Sequence, residues 1–333
     1  MKSKKGRLLT IIAWALIALM LMVGCSTDDT SSTTQNGEAS SDNNEQGEKK
    51  KVGVLIADFS DQFQVYMMDG MKEEAEKYPD IEFSFQDAKY DANTQMSQME
   101  NMVAEGVDAV IVMPVDVQAA VPMIDKAAGA NIPIISVNRK LLNQEKAVTY
   151  VGSDSVESGR ILMSHMAELL DGKGNIAILE GTQGHEPQIN RQKGIEEVLE
   201  EYPDIKVVAD QSADWYRDKA MTVAESWFQS TLDINAIVAH NDEMAIGALL
   251  AAKDAGKADD ILIAGIDATP EALDYVEKGE LAFTVFQDAK GQGRGAIDAA
   301  VKVLNGEPVE KEIIIPYELV TKDKVAEYRA KYE

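Results

Sequence analysis

Two stretches of this chain repeat one another at an offset of 124 residues: Gly70-Met-Lys-Glu-Glu-Ala-Glu-Lys-Tyr-Pro-Asp-Ile81 and Gly194-Ile-Glu-Glu-Val-Leu-Glu-Glu-Tyr-Pro-Asp-Ile205. Each has the spacing of a helix that stops at Tyr-Pro-Asp, since proline cannot continue it. Each is preceded by a short apolar run that reads as a strand, at 52–57 and 175–179, and followed by another, at 81–86 and 205–210. Further on, the helix pattern at 93–105 parallels 217–230, and the runs at 109–113 and 132–137 parallel 236–239 and 261–266. Strand order alone could arise by chance, but a shared four-residue ending in register points to two similar lobes.

Strands that alternate with helices predict parallel sheets covered on both faces, with right-handed crossovers. The expected fold is therefore α/β: two Rossmann-like lobes joined by a multi-strand hinge. The run at 148–151 closes the first set and a helix opens at 158, so the chain should cross near Gly152-Ser-Asp154. A strand at 283–286, a helix at 293–304 and the run at 313–315 are too few for a third domain and should complete the two lobes. The expected division is 51–152 plus 288–316 for one lobe and 153–287 plus 317–333 for the other.

The N-terminus has a different character. Lys2, Lys4, Lys5 and Arg7 precede an unbroken apolar run over 8–23 that ends at Gly24-Cys25, which reads as a secretory signal over 1–24. Leu21-Met-Val-Gly-Cys25 resembles the bacterial lipoprotein lipobox, with Met22 where leucine is more usual. That resemblance implies that Cys25 is lipidated and tethers the protein to the outer face of the cell membrane. Cys25 is the one cysteine of the chain, so no intrachain disulfide is possible. From Ser26 to Lys50 Ala39 is the only apolar residue, and a segment of this kind cannot bury enough to offset its ordering entropy. Residues 25–50 thus read as a lipidated cysteine followed by a flexible linker.

A formal charge of −25 disfavours nucleic acid and anionic lipid as partners. His165, His185 and His240 are widely separated and show no metal-site spacing, so neither a metal nor a cofactor is expected. The Gly291-Gln-Gly-Arg-Gly295 cluster lacks the full dinucleotide fingerprint and precedes a late helix.

In open α/β sheets ligands bind beyond the carboxyl ends of the strands. The polar groups at those ends are the stretch 58–63, 114–116, Asn138, Arg139, the stretch 184–191, Asp214, Trp215, Asn241, Asp267 and Gln287. At the end of the 236–239 run, Asp242 is expected to cap the next helix and Asn241 to face a ligand. Hydroxyls accept from Arg and Asn and donate to Asp, while the C–H face of a ring packs on Phe or Trp. Asp61 and Asp267 cancel Arg139 and Arg191, and a balanced site suits a neutral polyhydroxylated ligand.

At Ser136-Val-Asn-Arg139, Asn241-Asp-Glu-Met-Ala-Ile-Gly-Ala248 and Gly265-Ile-Asp-Ala-Thr-Pro270 the chain resembles the ribose-binding-protein family of type I periplasmic sugar-binding proteins, over roughly 51–320. These are the capture subunits of ABC transporters. The resemblance implies a monomer that hands a sugar or cyclitol to a membrane permease. It also implies ligand contacts from Asp61, Phe63, Gln64, Asn138, Arg139, Arg191, Trp215, Asn241, Asp267 and Gln287, with Phe59 and His185 as further candidates. Gln64 stands where the family has a second aromatic, and Asn138 where it has aspartate. Both departures point away from plain ribose, toward a hexose or inositol. A receptor module that signals to a membrane partner fits the same residues. A sugar-modifying enzyme on this fold would need a nucleophile with its base; His185 and Glu186 could serve as acid and base, but no nucleophile partners them.

Overall fold

The computed structural model describes residues 49–332. The signal at 1–24, Cys25 and the linker as far as residue 48 lie outside the described residues. The first elements are β1 (Lys50–Ile56), α1 (Gln62–Ala75), β2 (Ile81–Asp87), α2 (Ala92–Glu105), β3 (Ala109–Val112), α3 (Ala120–Gly129), β4 (Ile134–Val137) and β5 (Thr149–Gly152). Then come α4 (Ser155–Leu169), β6 (Lys173–Glu180), α5 (Glu186–Leu199), β7 (Asp204–Ser212), α6 (Arg217–Gln229), β8 (Ala236–Ala239), α7 (Asp242–Asp254), β9 (Leu262–Asp267), α8 (Pro270–Lys278) and β10 (Phe283–Phe286). The chain ends with α9 (Ala289–Leu304), β11 (Glu312–Ile314), β12 (Glu318–Val320) and α10 (Val325–Arg329).

The strands form two six-stranded sheets, ordered β11-β5-β4-β3-β1-β2 and β12-β10-β9-β8-β6-β7. Each is the centre of one lobe, with an apolar core on either face. On β1, Val52, Val54 and Ile56 enter the core shared with α1 and α9, while Leu55 enters the opposite core with Met99 and Met123. That alternation is the period of two that a strand imposes. The inner strands β3, β4, β8 and β10 are buried along their whole length, which explains their unbroken apolar runs.

One departure from the expected parallel sheets lies at the hinge. β12 runs antiparallel to β10, whereas all other pairings are parallel. β11 is parallel to β5, so its carboxyl end points at the other lobe. After Ile314 the chain passes directly into the second sheet and enters it from the cleft side, against its strands. The crossings after β5 and β10 run into helices and raise no such conflict.

The echo at Gly70 and Gly194 has a packing cause. α1 and α5 are each 14 residues long and each lies against one other helix through reciprocal glycines. A Cβ on Gly70 would clash with the Lys290 carbonyl of α9, and one on Gly293 with the Met67 carbonyl of α1. In the second lobe Gly194 faces the Val156 carbonyl of α4, and Gly159 faces the Arg191 carbonyl of α5. Only glycine allows backbones this close. Gly293 of the late glycine cluster is thus a helix contact.

The two lobes touch across their cleft. The Tyr66 ring on α1 meets Tyr332 edge-on at 5.0 Å, and the Tyr90 ring stacks on His185 at 5.8 Å.

Candidate functional site

All carboxyl ends of the parallel strands face this cleft, and the loops that follow them carry its side chains. A cavity of about 360 Å³ between the lobes is lined by Asp61, Phe63, Gln64, Met113, Asn138, Arg139, Pro187, Arg191, Trp215, Asn241, Asp267 and Gln287. The ten principal residues singled out in the sequence come together in it. Phe59 and His185 do not line it. Phe59 is half-buried against the first lobe's core, and His185 lies behind Trp215.

On the first-lobe side, Asp61 is the N-cap of α1. Its Oδ1 accepts from the Gln64 amide at 3.1 Å, so the helix starts at Gln62. Its Oδ2 accepts from the Tyr90 hydroxyl at 2.8 Å. Gln64 is likewise committed: its Oε1 accepts from the Asp58 amide at 2.9 Å and its Nε2 donates to Tyr90 Oη at 2.8 Å. Tyr90 therefore ties the first two loops of this lobe together, and burial with the neighbouring Asp61 pushes its phenol well above the usual range. Tyr90 is not among the strand-end residues read from the sequence; its one sequence signal is its place just after the second strand.

Asn138 has a φ of 63°, a left-handed conformation that asparagine tolerates better than most residues. Its Nδ2 donates to Gln292 Oε1 at 3.0 Å, and Gln292 Nε2 donates to Ser153 Oγ at 2.9 Å. Asn138 is thus linked through α9 to the chain crossing after β5. Arg139 is buried. One guanidinium nitrogen donates to the Pro114 and Val115 carbonyls, and its Nε has no protein partner.

The second lobe presents Arg191 from the first turns of α5, at the depth set by the contact of Gly159 with its backbone. Nη1 donates to the His240 carbonyl and Nη2 to Gln287 Oε1 at 2.7 Å, with Tyr317 Oη at 3.3 Å and the Asp267 carboxylate at 3.8 Å. Its Nε, like that of Arg139, has no protein partner. Burial works against the Arg191 cation, but Tyr317 and Asp267 hold its pKa above the ordinary value. Burial pushes the Asp267 carboxyl well above the usual carboxylate range against the pull of Arg191, and Asp242 and Asp61 push it further.

Trp215 sits on the second of two left-handed residues, Asp214 and Trp215, with φ of 54° and 73°. The turn lays the indole over Gly181, where any Cβ would strike the ring. Trp215 belongs both to the second lobe's core and to the cavity wall. Its Nε1 donates to His185 Nδ1 at 3.1 Å.

One expectation is corrected. The helix after β8 is capped by Asn241, whose Oδ1 accepts from the Met244 amide at 3.0 Å, and not by Asp242. Asp242 is fully buried, accepting from the Thr269 amide at 2.9 Å and the Thr284 hydroxyl at 2.7 Å, so it braces α7 against α8 and β10. Asn241 also donates to the Trp215 carbonyl at 3.2 Å, which leaves one amide hydrogen for the cavity. Two apolar residues complete the lining: Met113, just before the stretch 114–116, and Pro187, within the stretch 184–191.

Two α/β lobes that enclose a small polar cavity at their strand ends define a binding protein that can contact one ligand from both sides. The chain belongs to the periplasmic binding protein domain family, whose match spans residues 52–308. It is a solute-binding protein and not an enzyme. It is 40% identical over 286 residues to a protein of Rhizobium meliloti named "Putative rhizopine-binding protein", covering 84% of this chain and 93% of that one. A xylitol-binding protein of Mycolicibacterium smegmatis is 37% identical over 83% of this chain and 78% of its own length. An ABC transporter solute-binding protein of Bacillus halodurans, solved with bound myo-inositol, superposes with a TM-score of 0.84 at 47% identity, covering 86% of this chain and all of that one.

Proposed function

We propose that this chain is the extracytoplasmic capture component of an ABC transporter, and that it closes its two lobes on a neutral cyclitol or monosaccharide. The observation that carries the reading is the opposition of polar groups across the cavity: Asp61, Asn138 and Arg139 on one lobe, and Arg191, Asn241, Asp267 and Gln287 on the other. A ligand touching both sets stabilises the closed state by its differential affinity for it. Two arginines stand against two carboxyl groups in the lining, which gives a neutral polyol both donors and acceptors. The unpartnered Nε groups of Arg139 and Arg191 are donors suited to hydroxyl oxygens, and Trp215 and Phe63 supply apolar faces. The myo-inositol held by the Bacillus halodurans protein and the xylitol-binding relative favour a cyclitol or a related polyol.

The hinge in this reading consists of the three crossings near 152/153, 287/288 and 316/317. Support for these boundaries comes from β5, β10 and β11, each of which ends at the cleft and passes to the other lobe. Cys25 is the anchor and the segment from there to the start of β1 the tether, and a membrane permease is the partner that accepts the ligand from the closed monomer.

A thermal-shift screen over myo-inositol, xylitol, pentoses, hexoses and amino acids tests the reading. A ligand at a hundred times its dissociation constant adds about 2.7 kcal/mol of stability. No shift with any polyol, or a shift only with a charged amino acid, would sink it. Reading the genes beside this one for a permease or a kinase separates transport from signalling.

A further inference from the structure

We propose that His185 is a positioning residue that spans the cleft in the closed form, holding Trp215 against the ligand from behind and making capture weaken in acid. This rests on the reading of capture by lobe closure and adds a proton to it.

Three observations carry the inference. First, His185 belongs to the second lobe, at the start of α5, yet its ring stacks on Tyr90 of the first lobe at 5.8 Å with planes 27° apart. At its edge it meets Trp215, the ring centroids 6.4 Å apart and the planes 22° apart, and Trp215 in turn meets the His240 ring. The series Tyr90–His185–Trp215 therefore forms only while the lobes are together. Second, Trp215 Nε1 can only donate, so His185 Nδ1 must be unprotonated to accept its hydrogen. A proton placed there would set two donors face to face in a buried position. Third, the charged neighbour from the opposite lobe is a cation: Arg139, which lies over the same Tyr90 ring at 5.8 Å.

The remaining groups around the ring do not reverse this. Asp214, in the loop before Trp215, favours the protonated ring but is itself paired with Lys219 at 2.8 Å. Glu186, the next residue, spends its carboxylate on Asn190 and the Ser155 hydroxyl. The Tyr90 phenol donates to Asp61, and His240 is fully buried. Burial, with Arg139 adding to it, pushes the His185 ring down from 6.5 to about 3 in the closed form. Opening withdraws Tyr90 and Arg139 with the first lobe and admits water to the ring, which returns it toward its ordinary value. The open form then binds a proton that the closed form rejects, so affinity is complete above pH 6.5 and falls about tenfold per unit below it.

The test is calorimetric titration of the full chain with myo-inositol between pH 7.5 and 5.5, together with NMR of the imidazole signals, His185 being assigned by their loss in the variant. In the wild type the affinity should fall about tenfold over this range. His185→Asn keeps an acceptor for the indole hydrogen but cannot titrate. It should bind up to fivefold more weakly at pH 7.5, and then lose less than twofold on acidification. His185→Ala should bind more weakly than His185→Asn at every pH, because the indole hydrogen is then buried unpaired. The carboxyl of Asp267 bends the profile in the opposite sense in all three proteins, so the difference between profiles is the readout. Equal slopes in wild type and His185→Asn would overturn the proposal. If neither myo-inositol nor xylitol binds, the ligand class proposed above fails on its own account. The ligand-free NMR titration then decides this inference: a midpoint near 6.5 supports it, and one already near 3 overturns it.

Discussion

Arg191 and Asp267 stand 3.8 Å apart inside the cavity wall, each side chain almost closed to solvent, yet Arg191 makes its hydrogen bonds elsewhere, to His240, Gln287 and Tyr317. The guanidinium thus does two things. It joins α5 to the ends of β8 and β10 and to Tyr317 ahead of β12, and it lines the cavity, its buried Nε without a protein partner. Arg191→Ala should weaken ligand binding at least a hundredfold and also lower stability by about 3–5 kcal/mol, since it leaves Asp267 and three acceptors unmatched in a buried place. Arg191→Lys should recover part of the stability but little of the affinity, because an ammonium cannot reproduce the fork. Calorimetric titration and urea unfolding read the two effects separately; near-normal binding by Arg191→Ala would remove this residue from the site.

Tyr90→Phe should cost about 1–3 kcal/mol in stability, as the Asp61 Oδ2 and the Gln64 Nε2 both lose their buried partner. Affinity should fall at least fivefold, because Asp61 is then free to leave the geometry that presents it to the ligand. Unchanged affinity alongside reduced stability would mean that the hydroxyl serves the loops and not the site.

The repeated Tyr-Pro-Asp-Ile ending and the apolar runs made both sheets legible, and the strand-end rule together with the family resemblance named ten of the twelve residues that line the cavity, Gln64 by the resemblance alone. Three kinds of feature escaped. Tyr90 carries no local signal beyond following a strand, and its importance arises from Asp61 and Gln64, which only the fold brings to it. The cap after β8 was assigned one residue late because Asn241 and Asp242 are both good caps, and the choice is made by burial: Asp242 is drawn inward by Thr269 and Thr284, which lie far along the chain. The direction of β12 could not be read because three residues carry no orientation; it follows from where β11 lets the chain out.

Gly194→Ala tests the packing origin of the echo. The new methyl would strike the Val156 carbonyl and force α4 and α5 apart, moving Arg191 with α5. A destabilisation of about 1–3 kcal/mol is expected from overpacking, with a loss of affinity that accompanies it. Gly106→Ala is the control: its φ of 68° is strained for alanine, but nothing lies near the added methyl, so about 1 kcal/mol and unchanged affinity are expected. Equal effects on binding from the two variants would show that the helix contact does not set the position of Arg191.

The last prediction concerns pH. Burial, with Glu243 adding to it, pushes the Asp242 carboxyl up from 3.8 to about 7, although hydrogen bonds from Thr284 and Thr269 pull it down. Between these two values the folded state holds a proton that the unfolded chain has released, so this group makes stability fall as pH rises through the window, and its penalty is complete above pH 7. Asp242→Asn keeps an acceptor for the Thr269 amide, and the Thr284 hydroxyl can turn to accept from the new amide while donating to the Gly265 carbonyl. The variant should therefore gain on the wild type as pH rises from 5 to 8, by on the order of 2 kcal/mol over that span. His185 and His240, both pushed down to about 3, tilt the profile the other way in both proteins, so the difference in urea midpoints reads the Asp242 carboxyl together with the push it gives Asp267. A difference that stays constant with pH would show that Asp242 is ionised throughout and that the two threonines outweigh its burial.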